Sequence, residues 1–212
     1  MIFEQIRVGG DRNFAYLIGD PAAKRAAVAD PAYDPDMVLD RAGELGLEVA
    51  YLINTHGHFD HAGGNDRVLQ RTGAELLRAG AGGVDDGASV SLGSVTLTFI
   101  HTPGHTADSM CILAEEPGEA GKLVTGDTLF VGKVGGTGYG RDARQEYDSL
   151  HEKLLGLPDE TEVWPGHDYG AAPSSTIGRE RETNPFLLQP DFDAFVDLKR
   201  NWLEYKRRHG IA

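Results

Sequence analysis

The sequence predicts a single α/β domain over residues 1–212, and three observations lead to this prediction. Short apolar segments rich in β-branched residues alternate with helical segments along most of the chain. There is no tandem repeat of roughly 20 to 50 residues and no low-complexity linker. The 212-residue length, with 40% hydrophobic and 25% charged residues, is typical of a globular protein that buries a full core.

Seven segments are predicted as strands because their apolar and β-branched residues are flanked by Gly, Pro or Asp. They are Phe14–Ile18, Ala26–Ala29, Val49–Ile53, Val95–Ile100, Met110–Leu113, Lys122–Thr125 and Glu162–Trp164. The consecutive strands between residues 95 and 113 indicate an antiparallel pair within an otherwise alternating pattern. This combination favours mixed sheets flanked by helices.

Four helices are predicted, and the first has the clearest start signal. Asp34 is a suitable N-cap for Pro35–Leu45, where proline fits the first turn. The other predicted helices are Asn65–Thr72, Ala143–Leu155 and Asp191–His209. The glycine-rich stretches Ala79–Gly87 and Gly132–Gly140 are interpreted as loops, and residues 188–212 as a C-terminal helical extension of the domain.

Charge and cysteine content narrow the classes of partner. With 33 acidic and 20 basic residues the net charge is −13, which disfavours nucleic acid and membrane surfaces as partners. The one cysteine, Cys111, excludes an internal disulfide framework and fits a reducing compartment. No secretory signal pattern opens the chain, and no apolar run approaches the ~18 residues that span a bilayer. We therefore expect a soluble, cytoplasmic protein, monomeric or homodimeric.

The strongest chemical signal directly follows the strand Val49–Ile53. Three histidines and one aspartate lie within six residues: His56, His58, Asp60 and His61. Imidazole and carboxylate groups bind zinc and also iron or manganese. Without a cation, groups crowded in this way repel or desolvate one another. A polar loop of unconnected histidines is the alternative, and the density of ligand-type residues argues against it.

Three further ligand-type residues follow the ends of later strands. His105, Asp127 and His167 each come after a glycine near a strand end, where the backbone turns sharply enough to aim a side chain into a shared cleft. Each of these patterns is weak by itself. Together with the first segment they give seven candidate ligands, enough for two adjacent metal ions that share Asp127.

The ligand segments, in this order, resemble those of the metallo-β-lactamase fold superfamily over about residues 13–187. The resemblance implies a four-layer αββα sandwich of two mixed sheets, with the metal site at one edge of the sheets. It implies two divalent metal ions, Zn²⁺ first, with Fe²⁺ or Mn²⁺ as alternatives. One metal would bind His56, His58 and His105, the other Asp60, His61 and His167, and Asp127 would bridge them.

Within the superfamily the chain is most similar to the cluster of glyoxalase II (hydroxyacylglutathione hydrolase) and persulfide dioxygenase. The segments Thr125–Phe130, Gly166–Tyr169 and Ser175–Phe186 are typical of that cluster. The resemblance implies a metal-dependent hydrolase in which metal-bound hydroxide attacks the carbonyl carbon of a small-molecule thioester. It also implies that Asp60 orients the hydroxide and that Tyr169 contacts the thiol part of the substrate.

The substrate loop departs from the family pattern. Family members that use glutathione carry a basic residue after a Gly-Cys-Gly stretch, and here the aligned position is Gly136. The usual carboxylate anchor is therefore missing, and we expect Lys133 or Arg141 to replace it. Full-length glyoxalase II enzymes also have a C-terminal helical domain, whereas about 25 residues follow Leu187 here, enough for one helix.

Two other functions remain open at this stage. A persulfide dioxygenase that oxidises glutathione persulfide to sulfite would hold one Fe²⁺ with His56, His105 and Asp127. Dioxygenases usually read Thr-Asp-Phe where this chain has Thr128-Leu129-Phe130, so the hydrolase is favoured. The third candidate is a metal-binding regulator that has lost turnover, and retention of all seven ligand-type residues argues against it.

Several neighbours of the ligands are candidates for orienting them. Asp168 follows a ligand histidine, and the hydroxyls of Thr55 and Thr106 lie beside two others. His101 lies four residues before His105, and a structural role is as well supported for it as an orienting one.

Overall fold

In the computed structural model, which describes residues 1–211, two β-sheets organise the chain. The first sheet contains, in spatial order, β1 (Ile2–Gly9), β2 (Asn13–Asp20), β3 (Arg25–Ala29), β4 (Glu48–Ile53) and β5 (Glu75–Leu77). Strands β1 to β3 are antiparallel, whereas β3, β4 and β5 are parallel. The sheet is therefore mixed.

The second sheet has six strands. They are β6 (Ser89–Leu92), β7 (Val95–His101), β8 (Met110–Glu115), β9 (Lys122–Gly126), β12 (Glu162–Pro165) and β13 (Ser175–Thr176), in the order β13-β12-β9-β8-β7-β6. Only β9 and β12 pair in parallel. Between them in sequence lies a small hairpin of β10 (Leu129–Phe130) and β11 (Lys133–Val134).

Seven α-helices cover the outer faces and the connections of the described residues. They are α1 (Pro35–Glu44), α2 (Phe59–Ala62), α3 (Asn65–Thr72), α4 (Arg141–Asp148), α5 (Ile177–Thr183), α6 (Phe192–Arg200) and α7 (Trp202–His209). The longest has ten residues, so no helix within residues 1–211 has the length and apolarity to cross a bilayer.

Alternation along β2 shows how the layers form. Tyr16 and Ile18 point between the two sheets, whereas Ala15 and Leu17 pack against the helix layer of α1 and α3. On the far side of the second sheet, Leu113 and Leu123 pack with apolar residues of α4, α5 and α6. Three apolar layers therefore separate four layers of secondary structure. The predicted αββα sandwich is confirmed.

All seven predicted strands are present, with ends that differ by one or two residues. The strand β1 was not predicted, because Glu4, Gln5 and Arg7 interrupt its apolar residues and most of it is half-buried. The hairpin of β10 and β11 and the short strands β5, β6 and β13 were also missed. Segments of two to four residues give too little pattern for a strand assignment.

The predicted helix Asp191–His209 is wrong as one helix. It begins as expected, with the Asp191 side chain accepting from the Ala194 N–H, but it breaks at Asn201. The Asn201 side-chain amide donates to the Asp197 carbonyl oxygen, 3.0 Å away, and so competes for a helical acceptor. Two helices, α6 and α7, result from this break.

The predicted helix Ala143–Leu155 is also only partly right. The regular α-helix α4 starts two residues earlier, at Arg141, and ends at Asp148. The chain continues as one π-helical turn, Ser149–Lys153, followed by a short 3₁₀ turn. The Ser149 hydroxyl donates to the Pro103 carbonyl oxygen at 2.8 Å, which ties this irregular turn to the loop that precedes His105.

One edge of the two sheets collects the strand ends that carry the ligand-type residues. At the end of β9 the chain turns at Gly126, where φ is +49°. A Cβ at this position would lie 2.5 Å from the Thr55 hydroxyl oxygen, so only glycine allows the two sheets to approach here. The residue after this turn is Asp127, which is thereby directed between the sheets.

Tyr16 links the sheets behind that edge. Its side chain is fully buried, and its hydroxyl donates to the Pro165 carbonyl oxygen at 2.6 Å, two residues before His167. We expect Tyr16→Phe to lower the free energy of unfolding by about 1–2 kcal/mol, because it leaves a buried carbonyl without its donor. Urea denaturation measures this loss. The control is Tyr51→Phe, on the half-buried Tyr51 of β4, and an equal loss in both variants would contradict the role of the Tyr16 hydroxyl.

Candidate metal centre

Three histidines form the first ligand group. His56 and His58 follow β4, and His105 lies in the loop between β7 and β8. His56 Nε2 and His105 Nε2 each lie 3.1 Å from His58 Nδ1. The three ring nitrogens therefore converge on one point from two different sheets.

Asp60, His61 and His167 form the second ligand group. His61 Nε2 and His167 Nε2 lie 3.3 Å apart. The Asp60 Oδ2 atom lies 3.7 Å from the first of these nitrogens and 3.5 Å from the second. The group joins α2 of the first sheet layer to the segment that follows β12.

Asp127 lies between the two groups. Its Oδ1 atom is 3.4 Å from both His61 Nε2 and His167 Nε2, and its Oδ2 atom is 3.6 Å from His105 Nε2. Each carboxylate oxygen thus faces a different ligand group. The structure brings all seven of the sequence-predicted ligand residues together.

An acceptor holds the remote nitrogen of three of the five rings. His61 Nδ1 donates to Asp30 at 2.9 Å, His105 Nδ1 to the Gly136 carbonyl at 2.8 Å, and His167 Nδ1 to the Asp11 carbonyl at 2.8 Å. In each neutral ring the Nε2 lone pair then points into the centre. This arrangement is typical of metal-binding histidines.

Asp30 was missed by the sequence analysis. It directly follows β3, is 1% exposed, and has a positive φ of 51°, which is uncommon for a residue with a side chain. Its carboxylate accepts from the Thr55 N–H at 2.9 Å and the Thr55 hydroxyl at 2.6 Å, as well as from His61. The Thr55 hydroxyl oxygen lies 3.2 Å from His56 Nδ1. One carboxylate therefore orients a histidine of each ligand group, and the only sequence signal for it was an Asp-Pro pair after a strand.

The turn between β1 and β2 supports the second ligand group. The Asp11 carbonyl accepts from His167, and the Asn13 side-chain amide donates to the Asp60 carbonyl oxygen at 2.9 Å and contacts its carboxylate at 3.2 Å. These residues were not singled out in the sequence, because their partners lie 47 residues or more away along the chain.

Charge and burial give the ligands different proton affinities. Burial lowers the pKa of His56 to about 4, so this ring is neutral at pH 7. Burial also opposes protonation of His61, but Asp30 and Asp127 outweigh it and raise the pKa of His61 to about 10. Burial disfavours the Asp127 carboxylate, but His167 and His61 hold its pKa far below the usual range. The centre therefore attracts positive charge strongly.

The donor set fits divalent cations. The Oδ1 atom of Asp127 is buried and has no hydrogen-bond partner among the described residues. Ring nitrogens of neighbouring histidines lie 3.1–3.3 Å apart, an arrangement that a cation between them stabilises. Five nitrogen ligands and two carboxylates match the ligands that zinc and iron accept.

The structure places the other predicted residues as follows. Lys133 and Tyr169 lie beside the centre, with Lys133 Nζ 4.4 Å from the centroid of the Tyr169 ring. The Tyr169 ring stacks on His167 at 4.6 Å, and its hydroxyl donates to the Asp11 carboxylate at 2.5 Å. The Tyr169 proton is therefore engaged within the protein, which the sequence did not indicate. Arg141 begins α4 and is exposed.

Three candidates for orienting the ligands do not take that role. Asp168 forms an ion pair with Arg7 at 2.6 Å, and a backbone carbonyl orients His167 in its place. The Thr106 hydroxyl bonds to Ser109 at 2.8 Å, within its own turn. His101 ends β7, and its Nε2 atom has no hydrogen-bond partner among the described residues. Only Thr55 contacts a ligand histidine as predicted.

Comparison with known proteins agrees with this geometry. The family model of the metallo-beta-lactamase superfamily matches residues 8–84 and 77–167. The chain belongs to this superfamily. The predicted family resemblance is therefore confirmed.

Two curated relatives have names that give the same activity. The chain is 39% identical over 180 residues to hydroxyacylglutathione hydrolase from Polaromonas sp., covering 80% of this chain and 67% of the relative. It is 32% identical over 203 residues to the probable hydroxyacylglutathione hydrolase glo2 of Schizosaccharomyces pombe, covering 91% of this chain and 76% of the relative. The chain thus spans about two thirds to three quarters of their lengths.

Two solved structures extend the comparison. ETHE1 from Myxococcus xanthus superposes with a TM-score of 0.85 at 33% identity, covering 95% of this chain and 91% of that chain. TTHA1623 in a di-iron-bound form superposes with a TM-score of 0.71 at 26% identity, covering 87% of this chain and all of that chain. One of these two similar structures thus holds two iron ions.

We expect Asp30→Asn to weaken metal binding about 10- to 100-fold, because the amide cannot accept from Thr55 and His61 as the carboxylate does. Competition between the protein and a zinc chelator measures the affinity. The matched control is Asp20→Asn: Asp20 is also buried and accepts from the Ala22 N–H and the Ser94 hydroxyl, away from the centre. Equal losses of affinity in the two variants would contradict a specific role for Asp30.

Proposed function

We propose that this chain is a metal-dependent thioester hydrolase of the hydroxyacylglutathione hydrolase type, acting as a single cytoplasmic domain on a small-molecule substrate. The observation that carries the proposal is the pair of ligand groups that face Asp127 from its two sides. The names of the Polaromonas and Schizosaccharomyces relatives support the reaction type.

We assign one metal ion to each of the two ligand groups. His56, His58 and His105 would hold one metal ion, and Asp60, His61 and His167 the other, with Asp127 between them. Zn²⁺ is the proposed metal because nitrogen-rich sets of this size suit it. Two such ions, when bound, lower the pKa of water and polarise a carbonyl oxygen, which is what thioester hydrolysis requires.

Asp60 is the proposed catalytic residue. Its carboxylate is partly exposed, with 32% of the side chain accessible, whereas the side chains of His61 and His167 are nearly fully buried. Burial works against its ionisation, but the Asn13 amide and His61 lower its pKa below the ordinary value. The carboxylate is therefore ionised at neutral pH and can accept a hydrogen bond from the attacking water.

Lys133 is the proposed contact for an anionic group on the thiol carrier. Its ammonium lies over the rings of Phe130 and Tyr169, at 5.1 and 4.4 Å, and burial lowers its pKa. A half-buried ammonium held by ring faces favours an anion that approaches from the cleft. Tyr169 would contact the carrier through its ring face and hydroxyl oxygen, because its proton is donated to Asp11.

Leu129 bears on the choice between hydrolase and dioxygenase. It occupies the position where dioxygenases usually have aspartate, and it is fully buried in the apolar layer outside the second sheet. Burying a carboxylate at this position would be costly in free energy. The persulfide dioxygenase remains the second candidate, and the similarity to ETHE1 is the observation that favours it.

The decisive experiment compares two reactions of the metal-loaded protein. We expect hydrolysis of at least one member of a thioester panel on glutathione and other low-molecular-weight thiols, and little oxygen uptake with glutathione persulfide. Asp60→Asn should lower the hydrolytic kcat about 100-fold or more, because it removes the carboxylate that orients the attacking water. Metal content is measured in parallel.

Asp66→Asn, on an exposed aspartate of α3, is the control and should retain the full rate. Rapid oxygen uptake by the iron-loaded protein that His56→Ala abolishes would establish the dioxygenase instead. A normal hydrolytic rate in Asp60→Asn with full metal content would remove the role of Asp60.

A further inference from the structure

Two glycines after β11, Gly135 and Gly136, lie directly behind two of the ligands. The Gly136 carbonyl accepts the hydrogen bond from His105 Nδ1 at 2.8 Å. A Cβ at Gly135 would lie 2.0 Å from the Asp127 carbonyl oxygen, so the two backbones are in direct contact. The position of this segment, here called the 135–136 loop, therefore bears on the His105 ring and on the Asp127 backbone.

A buried ion pair anchors the 135–136 loop. Lys199 of α6 donates one hydrogen bond to the Gly135 carbonyl at 2.8 Å and another to the Glu146 carboxylate of α4. The two side chains are 6% and 1% exposed. Helix α6 thus reaches the backbone that supports a metal ligand.

Glu146 also contacts the chain on the other side of His105. A Cβ at Gly104, the residue before His105, would lie 2.4 Å from the Glu146 Cβ. The Glu146 carboxylate lies close to Gly135 as well, since a Cβ at Gly135 would be 3.1 Å from Glu146 Oε1. One residue of the pair therefore touches both backbone segments that determine where the His105 ring lies.

A buried ion pair such as Lys199–Glu146 is an unfavourable choice if its only role is to stabilise the fold. Removing two charges from water is expensive, and apolar residues of similar volume often replace a buried ion pair without loss of stability. The Glu146 Oε1 atom has no hydrogen-bond partner among the described residues, which adds to the cost. What the pair provides that an apolar pair does not is a directed hydrogen bond to the Gly135 carbonyl.

We propose that Lys199 and Glu146 are positioning residues that hold the 135–136 loop against His105 and Asp127, so that helix α6 sets the geometry and affinity of the metal centre. The inference rests on the proposed metal ligands, but it does not depend on which substrate is hydrolysed. Lys199 lies outside residues 8–167, the part of the chain that the family model matches.

The test is the metal affinity of Lys199→Met/Glu146→Leu, which removes both charges and keeps the volume. Competition with a chelator measures Zn²⁺ binding, and visible absorption of the Co²⁺-loaded protein reports the ligand geometry. We expect metal affinity to fall about tenfold or more, with a changed Co²⁺ spectrum, in a protein that unfolds cooperatively. Lys199→Arg keeps a donor for the Gly135 carbonyl and should restore most of the affinity.

The matched control is Lys122→Met/Glu162→Leu. This ion pair of 2.8 Å joins β9 and β12 and does not contact the 135–136 loop. It should leave the affinity and the spectrum unchanged. Wild-type values in the folded Lys199→Met/Glu146→Leu variant, or equal losses in the control, would overturn the proposal.

If Lys199→Met/Glu146→Leu does not fold, Glu146→Gln tests whether the ion pair positions the 135–136 loop. It keeps the packing and an acceptor for Lys199 but removes the charge, so we expect a smaller loss of affinity together with a spectral change. An unchanged spectrum and affinity would contradict the inference. Wild-type protein that binds no metal would overturn the metal centre itself, whereas metal binding without thioester hydrolysis would count only against the proposed reaction.

Discussion

Mutual repulsion among the ligand groups is the constraint that determines how the edge of the two sheets around the metal centre is built. Five imidazole rings and two carboxylates crowd together at one edge of the two sheets, and the ring nitrogens lie 3.1–3.3 Å apart. Such a cluster is unfavourable unless a positive charge lies within it. The structure meets the cost by holding four of the rings from behind: His61 through Asp30, His56 through Thr55, His167 through the Asp11 carbonyl and His105 through the Gly136 carbonyl.

The sandwich supplies these supports because its strand ends meet at that edge. Asp30 follows β3, Thr55 follows β4, and Asp127 follows β9, so three strands from two sheets contribute to one centre. The residues behind the ligands are held in turn by the core, as the Tyr16 hydrogen bond to the Pro165 carbonyl illustrates. The layer of α4 and α6 reaches the centre through the 135–136 loop. Strands of both sheets and the outer helix layer thus each contribute a contact that restricts a ligand or its neighbour.

A feature could be predicted from the sequence when the residues that interact to form it lie close together along the chain. The ligands His56 to His61 are close in sequence, and the strands that position them have clear apolar patterns. Asp30 and Lys199 were missed, because their partners lie 25 or more and 53 or more residues away and no local pattern marks them. Asp168 was assigned the wrong partner, since Arg7 of the unpredicted strand β1 takes its charge. The break at Asn201 depends on one side-chain hydrogen bond, which a helical pattern does not reveal.

The central claim is that the seven ligand side chains hold two metal ions on the two sides of Asp127. Anomalous diffraction from crystals of the zinc-saturated protein tests it most directly. The account predicts two zinc peaks about 3.5–4 Å apart, one beside His56, His58 and His105 and the other beside Asp60, His61 and His167. A single peak at zinc saturation, or peaks away from these side chains, would contradict it.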